Sequence, residues 1–496
     1  MSAPSSSTLL QEPSPVVREG EARPTAMEID ASCRGPLLLL FLSSLKWLCV
    51  GLLFALLSSI KLHSPGFLGD SACLTLGRIR PAAMNAILYG FASQAALGIS
   101  LWLLCRLGAT RLCCQAPVML STLFWNLGVA LGFFGILAGG STGFEWLEMP
   151  RYASPILFTA YSVIGLCALI TFHYRRERSL YVSQWYLVAA LFWFPWIYSA
   201  ANLLLVFQPV RGVMQALVNA WFTNNLLELW ITPVGLGIIF YFIPKLTGRP
   251  LYSSHLAAFG FWTLAIFANW KGLAPLVGGP LPAWMISSSL AANLIMIVPL
   301  LAVGLNWAFT LSGQTQSLKH DVVMKFVRFA AFSYLLSGAL RILKGLSPVS
   351  GVTQFTYLSV GVTWLALVGF FGMAAFAGIY YIVPRITRLE WPSAKKIQLH
   401  YLCSAGGIAL LVISLAIAGV VQGLKLNLGT GDFIAVTKSI VPLIGLSTLG
   451  LMLLLVGQLI FLAHFIGLIR LYSAVWRKLI LDLLGMTAAS PAGGKP

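Results

Sequence analysis

Twelve separate apolar runs, each near the length that crosses a bilayer as a helix, decide what this chain can fold into. They fall at about 37–59, 83–106, 117–140, 153–174, 184–207, 221–244, 256–273, 285–312, 322–343, 355–384, 398–420 and 440–469. A spanning helix needs roughly 20 residues, and within hydrocarbon it satisfies every backbone N–H and C=O inside its own segment. Only 9% of the residues are charged and 58% are hydrophobic, against roughly 25% charged in a soluble domain. The reading is an all-α polytopic membrane protein, a twelve-transmembrane-helix bundle over residues 37–474. Residues 1–36, rich in Ser, Pro and Glu, read as a disordered cytoplasmic tail with no secretory signal pattern, and 475–496 as a cytoplasmic C-terminal tail.

The net charge of +18 does not imply a nucleic-acid partner. The Lys and Arg stand singly at the ends of apolar runs, without a basic stripe interleaved with aromatics. Sorted by loop, about two thirds of the 32 basic residues share a side with the two tails, among them Arg175, Arg176, Arg178, Lys395 and Lys396. The positive-inside rule therefore puts both termini in the cytoplasm, with the lipid bilayer as the first partner. The connecting loops are too short for a soluble catalytic domain, so any chemistry belongs inside the bundle.

The residues that carry intramembrane chemistry are few. The eight cysteines form no C-x-x-C pair, and the six histidines form no set: His63 and His320 fall in loops, His173, His255 and His400 at span ends. His464 alone sits well inside a helix, where it reads as a packed or hydrogen-bonded residue. The in-membrane ionisable groups are Lys46, Glu228, Lys271, Arg341 and Lys344. Glu228, within about one turn of Asn224 and Asn225, is the only carboxylate deep in a span. An isolated ionised carboxylate there is costly, so it pairs with one of the four cations or carries a proton. Glu228, Lys271 and Arg341 are thus a candidate polar or proton site, or a tie between helices.

Several stretches, in order, resemble the haem-copper oxidase subunit I family, and within it the cbb(3)-type cytochrome c oxidases. They are LTLGRIRP at Leu74–Pro81 followed by Asn85, GSTGFEWLEMP before the fourth span, and RSLYVSQW at Arg178–Trp185. YFIPKLTGRPLYS at Tyr241–Ser253, GIYYIVPRI and VVQGL continue the series. The resemblance implies the twelve-helix subunit I fold in a prokaryotic inner membrane. It also places the family's haem-ligand histidines on Ala83, Val362 and Trp364, and its copper-ligand histidines on Asn224, Ala274 and Pro275. The family's active-site tyrosine and proton-linked glutamate fall on Ser333 and Ala339.

These substitutions remove every family ligand, so no catalytic, haem-binding or metal-binding residue is expected and the cofactor space is expected to be repacked around Trp364. The leading expectation is a non-catalytic structural or regulatory subunit, without cofactors, associated with other respiratory membrane subunits such as a cytochrome c-type subunit or a true oxidase core. One alternative is a working cbb(3)-type subunit I that keeps haem b and copper through unusual ligation. Another is a transporter or proton path through the vacated interior.

Overall fold

The computed structural model describes residues 23–312, 321–429 and 432–483. Among them every regular element is helical. Twelve rods follow the apolar runs: α1 Ala26–His63, α2 Leu76–Leu107, α3 Gln115–Ala138, α4 Ala153–His173, α5 Val182–Phe207 and α6 Val213–Thr247. Then come α7 Ser254–Phe267, α8 Ala283–Leu311, α9 Val322–Lys344, α10 Tyr357–Thr387, α11 Ala394–Leu428 and α12 Phe433–Leu483. Eleven of these are long and apolar enough to cross a membrane. The exception is α7, where 14 α-helical residues tighten into a 3-10 stretch, Ala268–Leu276, that completes the seventh expected span. Gly272 and Pro275 lie in that stretch, and both disfavour a continuing α-helix.

The N-terminal boundary differs from expectation. Residues 26–36, expected as tail, are the first turns of α1, which starts at a capping box between Thr25 and Glu28. Asp30 is buried there, accepting the Trp102 Nε1–H at 2.9 Å and lying 3.6 Å from Arg106. Polar residues that read as solvated tail thus cap a helix and anchor α1 to α2. At the other end α12 continues to Leu483, past the expected limit of 474. Residues 1–22 and 484–496 of the expected tails, and His320, lie outside the described residues.

Lipid-facing surfaces carry large apolar side chains such as Phe124, Phe134, Leu166, Phe192 and Trp262. Three rods are enclosed by the others. The most apolar windows of α2, α6 and α10 are 100%, 94% and 94% buried, against 39–61% for the other spans. Each enclosed rod contains a π-helical stretch near its middle: Ala86–Ala92, Leu226–Ile231 and Leu365–Gly372. In α6 the cause is local, because Pro233 has no N–H to give the Leu229 carbonyl and the ladder slips by one residue. Such bulges recur at functional sites. Ala83, Asn224 and Trp364 stand one to three residues ahead of these three stretches.

Glycines bring backbones together around this centre. On Gly407 and Gly450 an added Cβ would lie 2.8 Å from the other's carbonyl oxygen, so α11 and α12 touch main chain to main chain. On Gly423 of α11 it would run into the Val352 carbonyl in the α9–α10 connection. Gly423→Ala should therefore lower stability by about 1–3 kcal/mol in a mixed-micelle unfolding titration. Gly406→Ala, with open space around the added methyl, should match the native protein; equal midpoints for both variants would rule out the close approach.

Candidate functional site

The centre of the site is an ion triad from three separate elements. Glu228, in the π stretch of α6, receives the Lys271 Nζ at 2.6 Å and the Arg341 Nη1 at 2.5 Å, both on Oε1. Lys271 comes from the 3-10 stretch after α7, and Arg341 from the last turn of α9. Glu228 and Lys271 are buried, and the Arg341 side chain is 18% exposed. All three candidate polar residues are thus brought together, with two cations on the carboxylate rather than one. Of the other two in-membrane cations, Lys344 gives its Nζ to Ser359 Oγ at 2.6 Å. Lys46 is exposed, 5.7 Å from the Trp47 ring.

An amide cluster ties α6 to the same 3-10 stretch. Asn225 Nδ2 and Trp221 Nε1 both donate to Asn269 Oδ1, at 2.7 and 2.9 Å. Asn224 Nδ2 donates to the Ala268 carbonyl at 2.8 Å and to Asn225 Oδ1 at 3.0 Å. The approach depends on Gly272, where a Cβ would lie 2.9 Å from Asn224 Cβ.

Two cavities flank α10. One, about 400 Å³, is lined by Ala83 and Met84 of α2, Trp364 of α10, and Arg80, Trp146 and Glu148. The other, about 340 Å³, is lined by Asn224, Glu228, Lys271, Pro275, Arg341 and Lys344. Glu145, Trp146, Ser359 and Thr363 border both. Ala83, Val362 and Trp364 are themselves buried. A cavity is thus present beside the buried Trp364 indole, where the sequence led to an expectation of filled space. Ser333 is buried with no partner for its Oγ, and Ala339 packs against the core.

The two buried histidines are engaged elsewhere. His400 hydrogen-bonds Tyr380 Oη through Nδ1 and Gln458 through Nε2, each at 3.0 Å, and stacks on Phe461. His464 Nε2 accepts from the Ser393 backbone N–H at 3.2 Å. Among the described residues no three His, Cys, Asp or Glu side chains gather as a metal-binding group.

Glu148 is a site residue that the sequence reading did not single out. The 140–150 loop is strapped to the bundle by Tyr89 Oη, which donates to the Trp146 carbonyl at 2.6 Å. Glu148 Oε2 accepts from Asn85 Nδ2 at 2.7 Å, and burial pushes its carboxyl up to about 7. The available signal was two carboxylates, Glu145 and Glu148, in one short loop between apolar runs.

Residues 36–453 match the family described as Cytochrome C and Quinol oxidase polypeptide I. The chain belongs to that family. It is 26% identical to a Cbb3-type cytochrome c oxidase subunit of Stutzerimonas stutzeri over 90% of this chain and 93% of the relative. It is also 26% identical to a cytochrome c oxidase subunit 1 homolog of Azorhizobium caulinodans, over 84% and 78%. A solved heme-copper terminal oxidase superposes with a TM-score of 0.66 at 13% identity, over 87% of this chain and 84% of that one, which shows the shared fold. The oxidase subunit I bundle is thus the architecture that encloses the triad and both cavities, in a multi-pass membrane protein homologous to the cbb(3)-type subunits.

Proposed function

We propose that this chain is a subunit I-like membrane protein without haem or copper chemistry, serving as a structural or regulatory subunit of a respiratory complex. The reading places it in a prokaryotic inner membrane with both termini cytoplasmic. The observation that carries it is the charge of the second cavity. Lys271, Arg341 and Lys344 line it against one buried carboxylate, Glu228. A copper ion seated there would meet cations instead of imidazoles, and copper sites are built from imidazole, thiolate or thioether donors.

The residues at the resembling ligand positions do not fit haem or copper either. Ala83, Val362 and Pro275 have no side-chain donor atom, and an indole nitrogen only donates a proton. Asn224 already directs its amide at Ala268 and Asn225. No electron-transfer step is derived through these positions. What the side chains do instead is hold α6, α7 and α9 together through the triad and the amide cluster. The cavity of about 400 Å³ beside Ala83 and Trp364 favours a second reading, a working cbb(3)-type subunit with unusual ligation.

A reduced-minus-oxidised absorption spectrum with metal analysis of the protein purified from native membranes separates the two. The expected result is no haem b band and no copper above background. Stoichiometric haem b would sink the non-catalytic reading. Affinity purification in mild detergent should bring down a cytochrome c-type subunit or a complete oxidase core, and a chain that elutes alone contradicts the subunit role.

A further inference from the structure

We propose that the cavity beside the triad is a binding site for a small oxyanion, a carboxylate or phosphate, gripped by Arg341 and Lys344 with Lys271 behind them. The proposal rests on the preceding reading in one respect, that no haem carboxylate already fills the space.

Charge points to it first. Glu228 meets Lys271 and Arg341 through a single oxygen, so one negative charge faces two positive ones. Lys344 adds a third, and it donates to the neutral Ser359 hydroxyl. Glu145 is exposed at the rim, where water screens it. Uncompensated positive charge next to low-dielectric walls draws an anion in.

Hydrogen bonding points the same way. Arg341 Nη2 is buried and has no partner, although Nη1 is fully engaged with Glu228. The Arg341 side chain lines the cavity and is 18% exposed, and Lys344 stands three residues on, on the same face of α9, so an oxyanion there meets two cations. The neutral groups nearby are committed to backbone carbonyls: Asn224 to Ala268, Asn293 to Ile342 and Gln354 to Pro275.

Access and size agree. At about 340 Å³ the space holds roughly ten waters, ample for a carboxylate or phosphate group. Its rim includes Phe355, which is 83% exposed with a left-handed backbone at φ 59°. A bulky residue kept in that conformation is strained, as at ligand-binding rims.

The test is calorimetric titration of the purified full chain with inorganic phosphate and with acetate at constant ionic strength. One saturable site per chain is expected. Lys344→Gln, which leaves the triad intact, should weaken it about tenfold, and Arg341→Gln by at least that much. Glu228→Gln should tighten it, since the competing carboxylate charge is gone. The absence of saturable binding, or equal affinity in the native and Lys344→Gln proteins, overturns the site. An absorption spectrum of the same sample reports separately on the cofactor-free reading. If haem is present that reading fails, and phosphate binding insensitive to Lys344→Gln then overturns the anion site as well.

Discussion

Replacing Glu228 by leucine should destabilise the protein by about 3 kcal/mol, the lower end of the range for breaking a buried pair. The substitution leaves Lys271 and Arg341 facing each other with the shared oxygen removed, and Lys271 is 8% exposed. The partial exposure of Arg341, at 18%, keeps the expected loss from the upper end. Glu228→Gln keeps an acceptor on both cations and should fall between native and leucine. The measurement is the unfolding midpoint in mixed micelles. A leucine variant within about 0.5 kcal/mol of native would mean that cavity water, not the carboxylate, carries the two cations.

The second large effect is a dependence on pH that belongs to Glu148. Its carboxyl is raised by burial from an ordinary 4.5 to about 7 in the folded protein. The folded state therefore holds a proton that the unfolded chain releases between those values. Stability from this group is complete below about pH 4.5, declines as pH rises, and is gone above about 7. The full span corresponds to about 3 kcal/mol. Glu148→Gln, which keeps an acceptor for Asn85 Nδ2 and cannot ionise, should flatten the fall in melting temperature between pH 5 and pH 8. The same slope in both proteins would refute the assignment.

Some of the site is legible in the sequence. Glu228 stood out because one carboxylate in a long apolar run is energetically conspicuous, and Lys271 and Arg341 for the same reason. Their meeting was not legible. Glu228 and Arg341 are 113 positions apart, and four in-membrane cations competed on paper for one carboxylate. Glu148 escaped because its role depends on Asn85 and on a loop strapped down by Tyr89, neither of which leaves a local pattern. The α1 boundary slipped for a related reason: Asp30 reads as solvated until Trp102 and Arg106 are seen packed on it.

By itself the sequence determined the membrane class, the number and order of the rods and the oxidase subunit I descent. Those properties rest on run length and on collinear local stretches, which need no folded partner. Tertiary structure decided which rods are enclosed and that two cations share one carboxylate oxygen. It also decided that open space remains on either side of α10, because burial, ion pairing and cavity volume depend on what distant segments bring to the same point. Hydrocarbon forces each apolar run into a helix on its own, whereas the polar groups inside the bundle find partners only when the helices pack.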